Sequence, residues 1–152
     1  MPDFSTKRRV AHSPEQMFDL VADVERYPEF VPFCERLTVR GRKSEGACEV
    51  LVADMTVGYK LVRETFTSKV TLDREALSIR ADYLDGPFRT MENAWEFRPL
   101  DEGGSEIAFA IAYEFKSRTL AMLMGAVFER AFRRFAQAFE TRADAVYGNA
   151  VG

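Results

Sequence analysis

Few side chains in this sequence are of types that do covalent or acid–base chemistry, and their spacing keeps them apart. His12 is the single histidine. It sits just before the first predicted helix, where a solvated ring is expected. With no second member, a histidine-dependent triad, a Cys–His pair or a histidine metal site cannot be assembled. Cys34 and Cys48 are too few and wrongly spaced for a zinc site or a disulfide framework. They read as reduced thiols, Cys34 packing as a small hydrophobe. Gly103-Gly104 lies between charged residues in a hairpin turn, with no helix after it to cradle a phosphate. Two carboxylates remain. Asp54 shares an alternation with Val50 and Val52, and Glu64 shares one with Val62 and Phe66, which can point them inward as acids of raised pKa. A register kink near Gly58, or pairing with Lys60 or Arg63, turns them outward and is the favoured reading. The expectation is a protein without catalytic residues, metal or cofactor.

The stretch 27–34, YPEFVPFC, is chemically odd in another way: three aromatic rings, two prolines and a thiol occupy eight positions. Neither a long helix nor a clean strand accepts that pattern. The elements around it explain its place. Phe4–Val10 reads as an edge strand blunted by charge. Ser13-Pro14-Glu15-Gln16 has the form of a capping box with Pro at the first helical position. Met17, Leu20, Val21 and Val24 follow at helical spacing. Tyr27-Pro28 should stop that helix, because proline disfavours the α conformation in the residue before it.

From Leu37 to about Phe115 the period becomes two, giving six candidate strands: 37–42, 47–57, 59–72, 76–84, 88–100 and 105–115. Turn signals separate them at 43–46, Gly58, 73–75, 85–87 and 101–104. In the last strand Ile107, Phe109, Ile111, Tyr113 and Phe115 share one face, and alanines with Glu114 share the other. One apolar face means an antiparallel sheet covered on one side. Ser117–Tyr147 is one long helix. Met124, Phe128, Phe132, Phe135, Phe139 and Val146 fall within roughly 40° of one line on it. Its first turns, 120–128 (LAMLMGAVF), are apolar on every side. Such an end is covered by the aromatic segment, or forms a flexible, methionine-lined mouth through which an apolar ligand enters, or rests on a membrane or a second subunit.

Composition bounds the rest. The 152 residues are 47% hydrophobic with a formal charge of −3, so no global basic field exists to attract nucleic acid or an anionic membrane, and DNA is not expected as a partner. The N-terminal residues 1–14 hold no apolar core of signal-peptide length, and no stretch has the length of a membrane span. A cytoplasmic protein, peripheral at the inner face of the membrane at most, is expected. The 13 Phe, 5 Tyr and 1 Trp fit either a large core or an aromatic-lined cavity.

Several words occur in order: Tyr27-Pro28-x-Phe30-Val31-Pro32-x-Cys34, then Leu84-Asp85-Gly86-Pro87-Phe88 with Trp95-x-Phe97, then Tyr113-Glu114-Phe115-Lys116-Ser117. Ala138-Phe139-Glu140-x-Arg142-Ala143 and Tyr147-Gly148 complete them. In these words the chain resembles the coenzyme Q-binding and RatA-like family of START-like, helix-grip proteins, often labelled polyketide cyclase/lipid transport. The resemblance implies an α+β fold: a curved antiparallel sheet of about seven strands wrapped around the long C-terminal helix, with two short helices after the first strand. Residues 1–148 would form one lipid-binding domain and 149–152 a tail.

The resemblance also implies a deep hydrophobic cavity between sheet and helix. In quinone-binding members it holds ubiquinone, in support of respiratory electron transport. RatA-like members are instead described as ribosome-association toxins that block subunit joining, and polyketide cyclases or aromatases form a third branch. Binding of an isoprenoid quinone or similar lipid is the leading expectation, with the ribosome a partner only under the second branch. The expected mouth is Tyr27, Phe30, Val31, Phe33 and Cys34. The expected walls are Phe66, Trp95, Phe109 and Tyr113 on the sheet, and Met124, Phe128, Phe132 and Phe135 on the helix. Tyr27, Tyr113, Arg63 and Trp95 are candidate donors to a carbonyl head. The basic clusters 7–9, 40–43 and 130–134 are the material available for ribosome contact, and solvated faces explain them adequately. Oligomeric state is not legible.

Overall fold

Strand β1 (Asp3–Val10) opens the fold as an edge strand paired antiparallel with the last strand. A computed structural model describes residues 3–148; the proposed tail 149–152 lies outside the described residues. Helix α1 (Pro14–Ala22) begins at the expected capping box. Ser13 Oγ accepts from Gln16 N–H at 3.1 Å, and Gln16 Oε1 accepts from Ser13 N–H at 3.0 Å. The helix ends at Asp23, earlier than Tyr27-Pro28 suggests. A 3-10 helix over Val24–Glu29 follows and accommodates Pro28. Its tighter winding turns Val24 and Tyr27 into the core.

Six further strands follow: β2 (Cys34–Glu45), β3 (Cys48–Tyr59), β4 (Val62–Asp73), β5 (Ser78–Asp85), β6 (Phe88–Pro99) and β7 (Ser105–Phe115). They form one antiparallel sheet in the order β1-β7-β6-β5-β4-β3-β2. β2 starts three residues before the predicted strand and carries irregularities at Cys34/Arg36 and Val39/Gly41, which bend an edge strand. The β3–β4 turn falls at Lys60-Leu61 instead of Gly58. Gly58 stays in the ladder opposite Arg63, and Lys60 takes the left-handed conformation at φ 57°.

Helix α2 (Arg118–Tyr147) crosses the concave face of the sheet. Ser117 caps it by accepting from Leu120 N–H at 3.1 Å, and Gly148 ends it at φ 84°. Met124, Phe128, Phe132, Phe135 and Phe139 are buried, as their spacing predicts. Val146 is exposed, because the last turn overhangs the sheet. This is the START-like helix-grip architecture: a seven-stranded antiparallel sheet around one long helix.

Candidate functional site

The antiparallel ladders decide which residues face α2. On β3 the inner face carries Leu51, Ala53 and Val57, so Asp54 points outward. The ladder runs without a shift through Gly58, so no kink is involved. Val50 and Val52 simply do not mark the inner face. Asp54 accepts from Arg40 Nε at 2.6 Å and from Thr67 Oγ1 at 2.5 Å. The Thr67 hydroxyl, then the Arg40 guanidinium, hold its carboxyl below the usual range despite partial burial. Glu64 does share the Phe66 alternation, but at the hairpin end of β4, where it is half-buried. Neither carboxylate lines the cavity described next.

That cavity, about 80 Å³, lies between the middle of the sheet and α2. Tyr27, Met55, Phe66, Trp95, Phe132 and Phe135 are among its walls, and no Asp, Glu, Lys or Arg is. Five of the expected residues therefore meet here: Tyr27, Phe66, Trp95, Phe132 and Phe135. Phe109, Tyr113, Met124 and Phe128 are buried around it without forming its wall. Trp95 lies 4.6 Å from Phe109 and 5.1 Å from Phe139, ring to ring. The volume is well below the ~300–1,000 Å³ of a typical small-molecule site. The aromatic stripe of α2 fills most of the space that the expected deep cavity would occupy.

The candidate head-group donors fare unevenly. The Tyr27 hydroxyl donates to Val21 O at 2.5 Å, and burial pushes its ionisation well above the ordinary range. Arg63 lies outside, forked onto Glu35 at 2.5 and 2.7 Å. Sequence reasoning missed a polar group that does face the cavity. Ser68 is 5% exposed, on the inner face of β4 between Phe66 and Val70. Its Oγ is the one buried side-chain oxygen or nitrogen among the described residues with no hydrogen-bond partner. Leaving such a hydroxyl unpaired costs about 1–3 kcal/mol. The signal was one serine between Phe66 and Val70 in the alternation of β4.

The YPEFVPFC segment wraps α2 farther along than expected. Tyr27 and Phe30 rest edge-on against Phe139 at 5.2 and 5.0 Å. Arg142, on the apolar side of α2, covers the Phe30 ring and donates to Glu29 at 2.5 Å. Val31 and Cys34 are buried. Phe33 alone turns to the other end, 5.5 Å from Tyr59, in a left-handed conformation at φ 63°.

The first turns of α2 stay uncovered: Met122 is 84% and Leu123 58% exposed. They share one end of the sheet with the β3–β4 turn, where Leu61 is 97% exposed, and with Leu84 beside the β5–β6 turn. Between this end and the cavity, Phe66, Phe88, Phe115 and Phe128 form a plug, with ring centroids 5.1–6.2 Å apart.

The opposite end of α2 is tied down. His12, expected to be solvated, is 4% exposed, and its Nε2–H donates to Asp144 at 2.7 Å. Tyr147 donates to Gln16 O at 3.1 Å, and Arg8 pairs with Glu140. The basic clusters are paired in part: Arg9 with Glu102, Arg42 with Glu25 and Glu49, Lys43 with Glu45, and Arg133 with Glu129, while Lys7, Arg130 and Arg134 have no ion pair among the described residues. Among the described residues no group of His, Cys, Asp or Glu is placed to hold a metal, and both cysteines are free thiols. Among the described residues no helix is long and apolar enough to cross a membrane.

A model of the family described as polyketide cyclase / dehydrase and lipid transport matches residues 10–140. The ribosome association toxin RatA of Vibrio cholerae is 36% identical over 148 residues, 97% of this chain and 99% of that one. Coenzyme Q-binding protein COQ10 homolog B, mitochondrial, of Xenopus laevis is 32% identical over 150 residues, 96% of this chain but 59% of that one. Among solved structures, the Zhui aromatase/cyclase of Streptomyces sp. R1128 matches with a TM-score of 0.81 at 18% identity, covering 99% of this chain and 98% of that one. That likeness concerns the fold alone.

Proposed function

The chain belongs to the polyketide cyclase / dehydrase and lipid transport family, and we propose that it binds and transfers an apolar ligand, an isoprenoid quinone such as ubiquinone, without catalysing a reaction. The observation that carries this reading is the cavity between sheet and helix whose wall has no charged side chain. A polyprenyl chain leaves a bilayer only if its CH₂ groups, each worth about 0.8 kcal/mol, are buried again. The aromatic stripe of α2 and the inner sheet face offer that burial once they separate. Tyr27, Phe66, Trp95, Phe132 and Phe135 contact the ligand first. Phe109, Tyr113, Met124 and Phe128 line the space opened as the plug parts. Phe30, Val31, Phe33 and Cys34 clamp α2 and the adjoining hairpin.

Loading takes place at the apolar end. Leu61, Leu84, Met122 and Leu123 project there, and Lys60, Lys116 and Arg118 flank them with no ion pair among the described residues. Exposed apolar side chains at one end, among both unpaired cations and the carboxylates of Glu64 and Asp85, suit an interfacial contact carried mainly by apolar insertion. Mass spectrometry of an organic extract from gently purified protein tests the reading, together with uptake from ubiquinone-loaded vesicles. A bound quinone and saturable uptake are expected. An extract free of quinone combined with no uptake would sink it.

A second reading is favoured by the full-length similarity to RatA: binding to the ribosome and interference with subunit joining. Pairing of Arg40, Arg42 and Lys43 with acids weakens that cluster as a phosphate-binding face, and leaves Lys7, Arg130 and Arg134 as the material for one. Subunit-joining assays with purified ribosomes decide it, since unchanged joining at excess protein rules it out. A cyclase reading loses support because Asp54 faces outward and Glu64 lies off the cavity wall.

A further inference from the structure

We propose that Ser68 is the recognition point of the cavity, its hydroxyl donating a hydrogen bond to a carbonyl oxygen at the polar end of an otherwise apolar ligand. The inference rests on the ligand-binding reading above and adds to it where the polar end lies and which chemistry is selected. The strand around Ser68 has every reason to be apolar. Phe66, Val70 and Leu72 share its face, Ala53 stands across from it on β3, and Trp95, Phe132 and Phe135 close the space above. A hydroxyl buried there with no partner is unfavourable in the empty fold.

Two other polar side chains on the wall are already engaged. Tyr27 donates to Val21 O, and Asn93 donates to Ala110 O at 2.9 Å. Small side chains leave the opening beside the hydroxyl: Ala53 opposite it, and Ala81 opposite the next inward residue, Val70. A serine hydroxyl presents one donor hydrogen and two acceptor lone pairs, so an uncharged oxygen acceptor suits it. A carboxylate or phosphate would meet no cation in the wall. The ligand class is therefore a ketone- or quinone-bearing lipid, its ring oxygen at mid-sheet and its chain running toward the aromatic plug and the apolar end.

The test compares wild-type protein with Ser68→Ala, a change that removes the oxygen and adds no volume. Two probes are used: a short-chain ubiquinone, and squalene, a polyprenyl hydrocarbon without oxygen. Quinone binding is read from quenching of Trp95, the single tryptophan, which lies on the cavity wall. Squalene binding is read by recovery of protein-bound lipid. Ser68→Ala is expected to weaken quinone binding about tenfold, leave squalene binding unchanged and leave the ligand-free melting temperature unchanged or higher.

Equal quinone affinity of the two proteins overturns the proposal. So does a parallel loss of squalene binding, which would make the effect one of shape. A lower ligand-free melting temperature overturns it too, since the hydroxyl would already have a partner such as a trapped water. If the wild type takes up neither probe, the ligand-binding reading itself falls, and the role of Ser68 falls with it. Squalene binding by the wild type without quinone preference overturns Ser68 alone.

Discussion

Cys34 is buried beneath the aromatic segment, and its thiol donates weakly to Arg36 O at 3.7 Å. Burial pushes its pKa up to about 12, from an ordinary value of 9.0, and pushes the Tyr27 phenol upward for the same reason. Both groups are neutral in folded and unfolded chains below about pH 7.5. Above that, the unfolded chain releases their protons while the folded one retains them, so rising pH favours unfolding. Urea midpoints measured from pH 7.5 to 10.5 should fall on the alkaline side. Iodoacetamide should label the half-exposed Cys48 well before Cys34. Substitutions in the same segment separate clamp from core. Val31 is buried, so Val31→Asp strands a carboxylate in the core and unfolds the protein before it says anything about lipid. Phe30 is half-buried between Phe139 and Arg142. Phe30→Ala should cost about 2 kcal/mol in stability and lower quinone retention by a larger factor. Denaturation and vesicle-transfer assays on the same preparation check it, and losses of equal size would make the segment plain core.

At the scale of elements, α2 is held unevenly. Its C-terminal half is fastened by His12–Asp144, Arg142–Glu29, Arg8–Glu140 and the Tyr147 hydroxyl. Its first turns carry no such ties beyond the Ser117 cap, and hold Gly125 with nothing within 4 Å of where a Cβ would stand. Glycine in a helix interior weakens it by about 1 kcal/mol relative to alanine. The aromatic plug can therefore part by movement of the N-terminal end of α2 while the other end stays fixed. Gly125→Ala should raise the melting temperature by a few degrees, on the order of 1 kcal/mol, and slow quinone uptake. Stopped-flow transfer from loaded vesicles measures the second effect, and faster uptake would contradict a hinge at this end.

For the whole molecule, the decisive asymmetry lies between its two ends. One end gathers exposed Leu61, Met122 and Leu123 with unpaired Lys60, Lys116 and Arg118; the other gathers the polar anchors. Leu61→Asp combined with Met122→Asp should reduce binding to anionic vesicles at least tenfold, since each leucine or methionine inserted is worth about 1.5–3 kcal/mol. Melting temperature should hardly change, because neither side chain packs in the fold. Sedimentation with vesicles of differing anionic lipid content reads both the apolar and the charge contribution. Binding that ignores the substitutions would rule out a membrane contact at this end.

Much of this protein is legible in its residues. The capping box at Ser13, the period-two strands, the Phe stripe of α2 and the stop at Gly148 each depend on neighbours within a few positions, so local physics determines them. The family words follow from the same string of residues. What the tertiary structure alone decided is phase and pairing across long separations. Alternation gives β3 two faces, but the packing of β3 against α2 chooses Leu51, Ala53 and Val57 as the inner set and sends Asp54 outside. His12 reads as solvated until Asp144, 132 positions away, arrives beside it. Ser68 is an ordinary strand serine until distant apolar side chains surround it and leave its hydroxyl without a partner. The small cavity volume is likewise set by how fully the α2 aromatics fill the curve of the sheet, a three-dimensional fit that no periodicity encodes.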